Sequence, residues 1–188
     1  MQKTSIVLIG IIVLVAIIVL TFIGGYNGMV SKKENVESAS SNLDVMLQRR
    51  CDLIPNLVST VKGYTNHETG IIEKVTEART KLVNANTMEE KSNANNELTS
   101  SLNALMVVVE NYPDLKSSEN FKQLSDELAG TENRIAVARK DYNDAVRTLN
   151  VSIKKFPNNI LAGMFGFEEA IYFAADEKSV EVPSVSFE

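Results

Sequence analysis

The chain carries one cysteine and one histidine among its 188 residues, four prolines, and no Lys/Arg cluster interleaved with aromatics. Each scarcity excludes a class of function. A lone Cys51 cannot close an intramolecular disulfide, so cysteine usage leaves the redox compartment open. With His67 as the sole imidazole, an ordinary zinc site lacks ligands. A di-iron carboxylate centre in a helical bundle needs Glu-x-x-His pairs on two helices. Here Tyr64 stands three residues before His67, and the adjacent Glu68 would point about 100° away around a helix. Neither Cys51 nor any serine lies in a nucleophile elbow, and no glycine-rich phosphate loop follows a strand. The absent basic stripe argues against a nucleic-acid partner. The expectation is a protein that is not an enzyme, with no catalytic residue, metal, cofactor or small-molecule substrate.

What the chain does have is one long apolar run. From Ile6 to Ile23 only Gly10 and Thr21 interrupt it. With Ser5 and Gly24–Gly25 it reaches the roughly 20 residues that cross a hydrocarbon core. A signal peptide has a shorter apolar stretch of about 7–15 residues and a small-x-small cleavage site, which Thr21-Phe22-Ile23-Gly24-Gly25-Tyr26 does not offer. Residues 1–25 are therefore expected to be a retained single-pass anchor, meeting the lipid bilayer through 5–25. Lys32 and Lys33 outweigh Lys3 across the run, which leans towards an outside N-terminus and a cytoplasmic body. The net charge of −5 is uneven: from residue 168 onward six carboxylates face Lys178 alone.

Beyond the anchor, apolar residues recur at helical spacing. Phe121, Leu128, Ile135, Tyr142, Leu149 and Phe156 lie seven apart, forming one seam of a long helix that Ser117 or Ser118 caps and Pro157 ends. Leu98, Leu102, Leu105, Val109 and Tyr112 mark a second helix, and a face from Ile54 to Leu82 marks a third, starting near Asp52 with Pro55 in its first turn. Gly63 and Gly70 call for either a close neighbour or a bend there. The polar stretch from Tyr26 to Arg50, with Met29, Val36, Leu43 and Met46–Leu47 as a stripe, reads as a helix continuing from the membrane. The fold class is all-α: a transmembrane helix, then a long antiparallel up-down four-helix bundle over 26–159, then an extended acidic tail over 160–188. That tail, with Phe173, Val180, Val182, Val185 and Phe187, reads either as a partly docked end or as a linear motif that adds to a partner's sheet edge.

Several polar residues fall near apolar seams. Glu68 lies seven after Val61 and seven before Val75, which turns it inward, where a carboxylate needs a partner. Arg50, Arg79, Glu132, Asn133, Arg139 and Asn143 complete a candidate interhelical polar network, read as a register-fixing device or as a functional polar pocket.

The ordered segments Leu47-Gln48-Arg49-Arg50-Cys51-Asp52-Leu53-Ile54-Pro55-Asn56-Leu57-Val58, Glu77-Ala78-Arg79, Glu110-Asn111-Tyr112-Pro113-Asp114-Leu115, Thr131-Glu132-Asn133, Ala138-Arg139-Lys140-Asp141-Tyr142-Asn143 and Pro183-Ser-Val185-Ser-Phe187 resemble the bacterial LemA family along nearly the whole chain. The resemblance implies a membrane-anchored antiparallel helical bundle and assigns no activity. Anchor and bundle together suggest a scaffold or adaptor at the bacterial cytoplasmic (inner) membrane that engages a protein partner. A self-associating membrane organiser and a ligand-binding helical module are the alternatives.

Overall fold

A computed structural model describes residues 2–65 and 67–174, with side chains from residue 7 onward. Among the described residues the chain is helix joined by turns and irregular segments, without a strand. The helices are α1 (Gln2–Lys62), α2 (Thr69–Asn84), α3 (Met88–Val109), α4 (Pro113–Ser117), α5 (Glu119–Lys154) and α6 (Asn158–Phe165). Contacts divide the chain into two compact units, Met1–Ala39 with Asp144–Ala170, and Ser40–Asn143 with Ile171–Glu188. The carboxylates from Asp176 onward and the positions Val180, Val182, Val185 and Phe187 lie outside the described residues.

In the first unit, the aliphatic run of α1 has no protein neighbour among the described residues. Residues from Val7 to Leu20 expose their large side chains, and α1 is the one described helix long and apolar enough to cross a membrane. Thr21 returns its hydroxyl to the Ile17 carbonyl at 2.8 Å, so its polarity is satisfied within the helix. Packing begins at Phe22, where α1 meets α6: Met29, Leu161 and Ala162 form a buried cluster flanked by Phe22, Ile153 and Phe167. α6 ends at Gly166, whose φ of 70° suits a residue without Cβ, and the Phe167 N–H closes back on the Ala162 carbonyl at 3.0 Å. Within the stretch expected to be a tail, the structure thus begins with a packed helix. Phe156, expected to end the long seam, is 81% exposed because α5 stops at Lys154.

In the second unit, the buried residues of α1 are Leu43, Leu47, Arg50, Cys51, Ile54, Leu57 and Val61. The expected helix start near Asp52 does not occur, because α1 runs unbroken through Pro55 to Lys62. Proline inside a helix removes the hydrogen bond to the carbonyl four residues back, a loss of about 3 kcal/mol with the ring clash. That carbonyl belongs to buried Cys51, and Arg79 of α2 donates its Nε–H to it at 2.8 Å. The break falls instead after Lys62, at Gly63, which is a poor helix former. Tyr64 and Thr65 then bond back to Val61, and α2 starts afresh at Thr69.

α2 and α3 form a hairpin. Ile72, Val75, Ala78 and Leu82 are buried on α2, and Ala94, Leu98, Leu102, Leu105 and Val109 on α3. α3 begins ten residues before Leu98, because Thr87 and Glu90 make a capping box: the Thr87 hydroxyl accepts from the Glu90 N–H, and the Glu90 carboxylate accepts from the Thr87 N–H. The backbone N–H groups of Thr87 and of Asn86, both donating to the Glu90 carboxylate, hold this carboxyl below its usual range. α4 opens with Pro113 in its first turn, and Ser118 Oγ accepts from the Phe121 N–H to start α5.

Pro55 and Arg79 are therefore expected to be coupled. Arg79→Met should destabilise the protein by about 1–3 kcal/mol, the cost of an unanswered buried carbonyl. In a Pro55→Ala background, the restored N–H should take over and most of that cost should vanish. Denaturation of the full chain in micelles, followed by circular dichroism, measures the cycle; strictly additive effects would show that Arg79 does not substitute for the missing N–H.

Candidate functional site

Arg50 occupies the α1 seam position seven after Leu43 and seven before Leu57, where a coiled helix ordinarily places an apolar side chain. It is buried, and its burial pushes the guanidinium down from its ordinary pKa while Glu132 raises it. An arginine nevertheless stays charged. Two helices answer it through one nitrogen. Its NH1 donates to Asn95 Oδ1 of α3 at 2.8 Å and stands 2.7 Å from Glu132 Oε2 of α5. The Glu132 contact lies off the hydrogen-bond axis, so it acts as an ion pair, and Arg50 Nε has no hydrogen-bond partner among the described residues. The pair is lopsided: the Arg50 side chain is 4% exposed and the Glu132 side chain 46%.

Further ties surround this centre. Arg79 reaches the Cys51 carbonyl from α2, next along α1 from Arg50. Lys91 of α3 grips both oxygens of Asp44 of α1, at 2.7 and 2.8 Å. Lys81 of α2 meets Glu97 of α3 at 2.7 Å, an exposed contact that contributes little. Glu68 takes a different place from the inward one its spacing suggested. The break after Lys62 interrupts the register, leaving Glu68 at the N-cap of α2, half-buried, where its carboxylate accepts from the Tyr112 hydroxyl at 2.7 Å. Tyr112 in turn accepts from buried Thr65 Oγ1 at 3.2 Å.

Asn143 serves a third arrangement. Its amide donates to the Phe173 carbonyl at 3.0 Å and accepts the Phe173 N–H at 2.9 Å, as a neighbouring strand would. Tyr142 donates its hydroxyl to the Ile171 carbonyl at 2.7 Å, and Ser92 donates to the Ala174 carbonyl at 3.0 Å. Phe173, expected to meet a partner, is buried at 1% exposure within the chain's own unit. In the first unit Asn150 makes the same two-way clamp on Ala170, at 2.9 Å in each direction. Asn133 is exposed beside a shallow cleft with Asn42, Met46 and Val137, and Arg139 is half-buried on α5 outside these clusters.

Of the seven polar positions singled out from the sequence, the structure brings Arg50, Arg79 and Glu132 to one level, and sends Glu68 and Asn143 elsewhere. Asn95 and Ser92 were missed. Asn95 lies one heptad before Leu102, and Thr87-x-x-Glu90 marks a helix start ahead of it, so both signals were present. Chemically, the arrangement binds helices to one another. Burial pushes the Cys51 thiol up, away from the thiolate that nucleophilic chemistry needs. Burial and the nearby Asp44 likewise push the Tyr142 phenol up, so it stays protonated and donates to Ile171. No group of three or more His, Cys, Asp or Glu side chains able to hold a metal ion occurs among the described residues.

The model of the LemA family matches residues 39–187. Magnetosome protein MamQ 2 of Paramagnetospirillum magneticum is 31% identical over 195 residues, covering 90% of this chain and 71% of that protein. Magnetosome protein MamQ of Magnetospirillum gryphiswaldense is 29% identical over 191 residues, covering 88% and 70% respectively. Protein LemA of Metamycoplasma hominis is 28% identical over 177 residues, covering 91% and 79%.

The lopsided exposure of the central pair sets an order of effects. Glu132→Ala strands a buried cation and should cost about 1–3 kcal/mol, below the range for fully buried pairs because the Glu132 side chain is half exposed even though its paired Oε2 is buried. Adding Arg50→Met to that variant should recover much of the loss, since the stranded charge goes with it. Urea midpoints decide the matter, and a double variant less stable than Glu132→Ala would refute the buried-cation account.

Proposed function

The chain belongs to the LemA family, and on that premise we propose that it is a non-enzymatic, single-pass scaffold or adaptor held at the bacterial cytoplasmic membrane. One observation carries the reading: an aliphatic helix with no protein neighbour among the described residues runs without interruption into a stretch whose buried Arg50 is engaged with the chain's own helices. A buried polar cluster devoted to internal ties serves rigidity, and a tether raises the effective concentration of whatever the rigid part engages. Ties from α1 to α2, α3 and α5 support an up-down four-helix bundle in the second unit. The excess of Lys32 and Lys33 over Lys3 supports a cytoplasmic body with the N-terminus outside.

Phe173 is committed to Asn143, so partner contact falls to the residues after it, with Val180, Val182, Val185 and Phe187 as the apolar residues of a linear motif.

Two measurements in cells test this reading. Asn93→Cys, at an exposed position of α3, should resist a membrane-impermeant maleimide until the cells are permeabilised; labelling of intact cells would place the body outside. A photocrosslinking residue at Val182 should yield adducts containing a second, different polypeptide. Adducts only at multiples of the chain's own mass would favour the self-associating organiser.

A further inference from the structure

We propose that α6 is a second membrane-contacting element, lying in the bilayer interface beside the exit of α1 with Ile160, Met164 and Phe165 turned into lipid. The inference rests on α1 being a membrane span.

The contact between α1 and α6 fixes the depth. A Cβ placed on Gly25 would lie 2.7 Å from Leu161 Cδ1 and 3.0 Å from Asn158 Oδ1, so α6 approaches α1 closely at the last residue of the apolar run. Tyr26 then meets the rings of Phe165 and Phe167 edge-on, with centroids 4.9 and 5.8 Å apart. Aromatic side chains at a span's end sit at the level of the headgroups.

The composition of α6 fixes the direction. Its polar residues, Asn158 and Asn159, stand at its start, and everything after them is apolar or glycine. Leu161 and Ala162 are buried towards α1. Ile160 and Met164, four apart and so on one side of the helix, are 47% and 65% exposed, and Phe165 beside them is 55% exposed. Phe156, just before α6, is also exposed. A helix apolar all round is ordinarily covered all round, and a cluster of this kind on a protein surface marks an interaction site. Lipid is the occupant because the patch continues the bilayer-facing surface of α1 at the same level, and because a helix satisfies its own backbone there.

The chain contains no tryptophan, so one introduced indole reports without background. The experiment uses the full chain in phosphatidylcholine vesicles, with acyl-brominated phosphatidylcholine or aqueous acrylamide as quencher. Val15→Trp reports the span. Ile160→Trp and Met164→Trp report α6. Asn35→Trp, exposed about 15 Å further along α1, reports water. Ile160→Trp and Met164→Trp should emit to the blue of Asn35→Trp, lose most of their intensity to brominated lipid, and resist acrylamide. If they follow Asn35→Trp while Val15→Trp is quenched by brominated lipid, the span stands and the inference about α6 is wrong. Shielding of both α6 reporters from both quenchers would assign the face to a second copy of the chain and overturn it. If Val15→Trp escapes brominated lipid, the span reading fails as well.

Discussion

Taking a guanidinium out of water costs several kcal/mol unless polar groups replace the water, and Arg50 is buried on α1 at a seam position flanked by Leu43 and Leu57. The polar order of the second unit follows from that cost. Asn95 and Glu132 must come to Arg50 from two other helices, and neither can do so unless α3 and α5 hold a particular height beside α1. The next residue, Cys51, adds a second demand, because Pro55 deprives its carbonyl of a helical donor and Arg79 of α2 supplies one. Two consecutive residues of α1 thus specify where three other helices pass. Neither demand can be met by apolar packing, which tolerates small slips that a hydrogen bond does not.

Much of this was legible in the sequence and some was not, for identifiable reasons. The apolar run of α1 and the heptads of α5 are strong periodic signals, whereas Arg50 entered only as a candidate partner for Glu68 and Glu132 only as a residue seven from Arg139 on one helix. The boundary of α1 misled because Asp52 and Pro55 look like a cap and a first turn. Here a side chain distant in sequence serves the carbonyl that the proline frees, and no local pattern reveals that. Glu68 was misplaced by the converse error: the two seven-residue steps from Val61 through Glu68 to Val75 are genuine in number, but the chain breaks within the first of them at Gly63. Asn95 escaped notice because the polar stretch before Leu98 looks like a loop until the capping box at Thr87 is given weight.

The segment after α6 was hard to read for a different reason. An extended chain needs partners for its N–H and C=O groups, and without a strand signal nearby it looks like a tail. Here asparagine side chains act as those partners. Asn143 serves both backbone groups of Phe173 in the second unit, and Asn150 serves both of Ala170 in the first. A primary amide offers the same donor and acceptor as a peptide group, so one residue on a helix replaces one residue of a neighbouring strand. The two asparagines are seven apart on α5, and the residues they hold are three apart.

The same heptad arithmetic explains why a charge, rather than another leucine, suits position 50. A seam with a leucine there, between Leu43 and Leu57, would be equally content if α5 moved along it by one heptad, because apolar side chains are interchangeable at that spacing. With Arg50 in place the shifted states differ sharply. Moving α5 by seven in one direction replaces Glu132 with Arg139, setting two guanidinium groups against each other; moving it in the other replaces Glu132 with Ser125, which brings no charge. Shifting α3 replaces Asn95 with Leu102 or Met88, neither of which can accept a hydrogen bond well enough to serve a cation. The native register is thus the one in which the buried cation meets both a carboxylate and an amide oxygen. On this argument the desolvation cost of Arg50 would fall as a penalty on each of these four shifted alignments, and Arg139, outside the cluster itself, would act by repelling Arg50 in one of them.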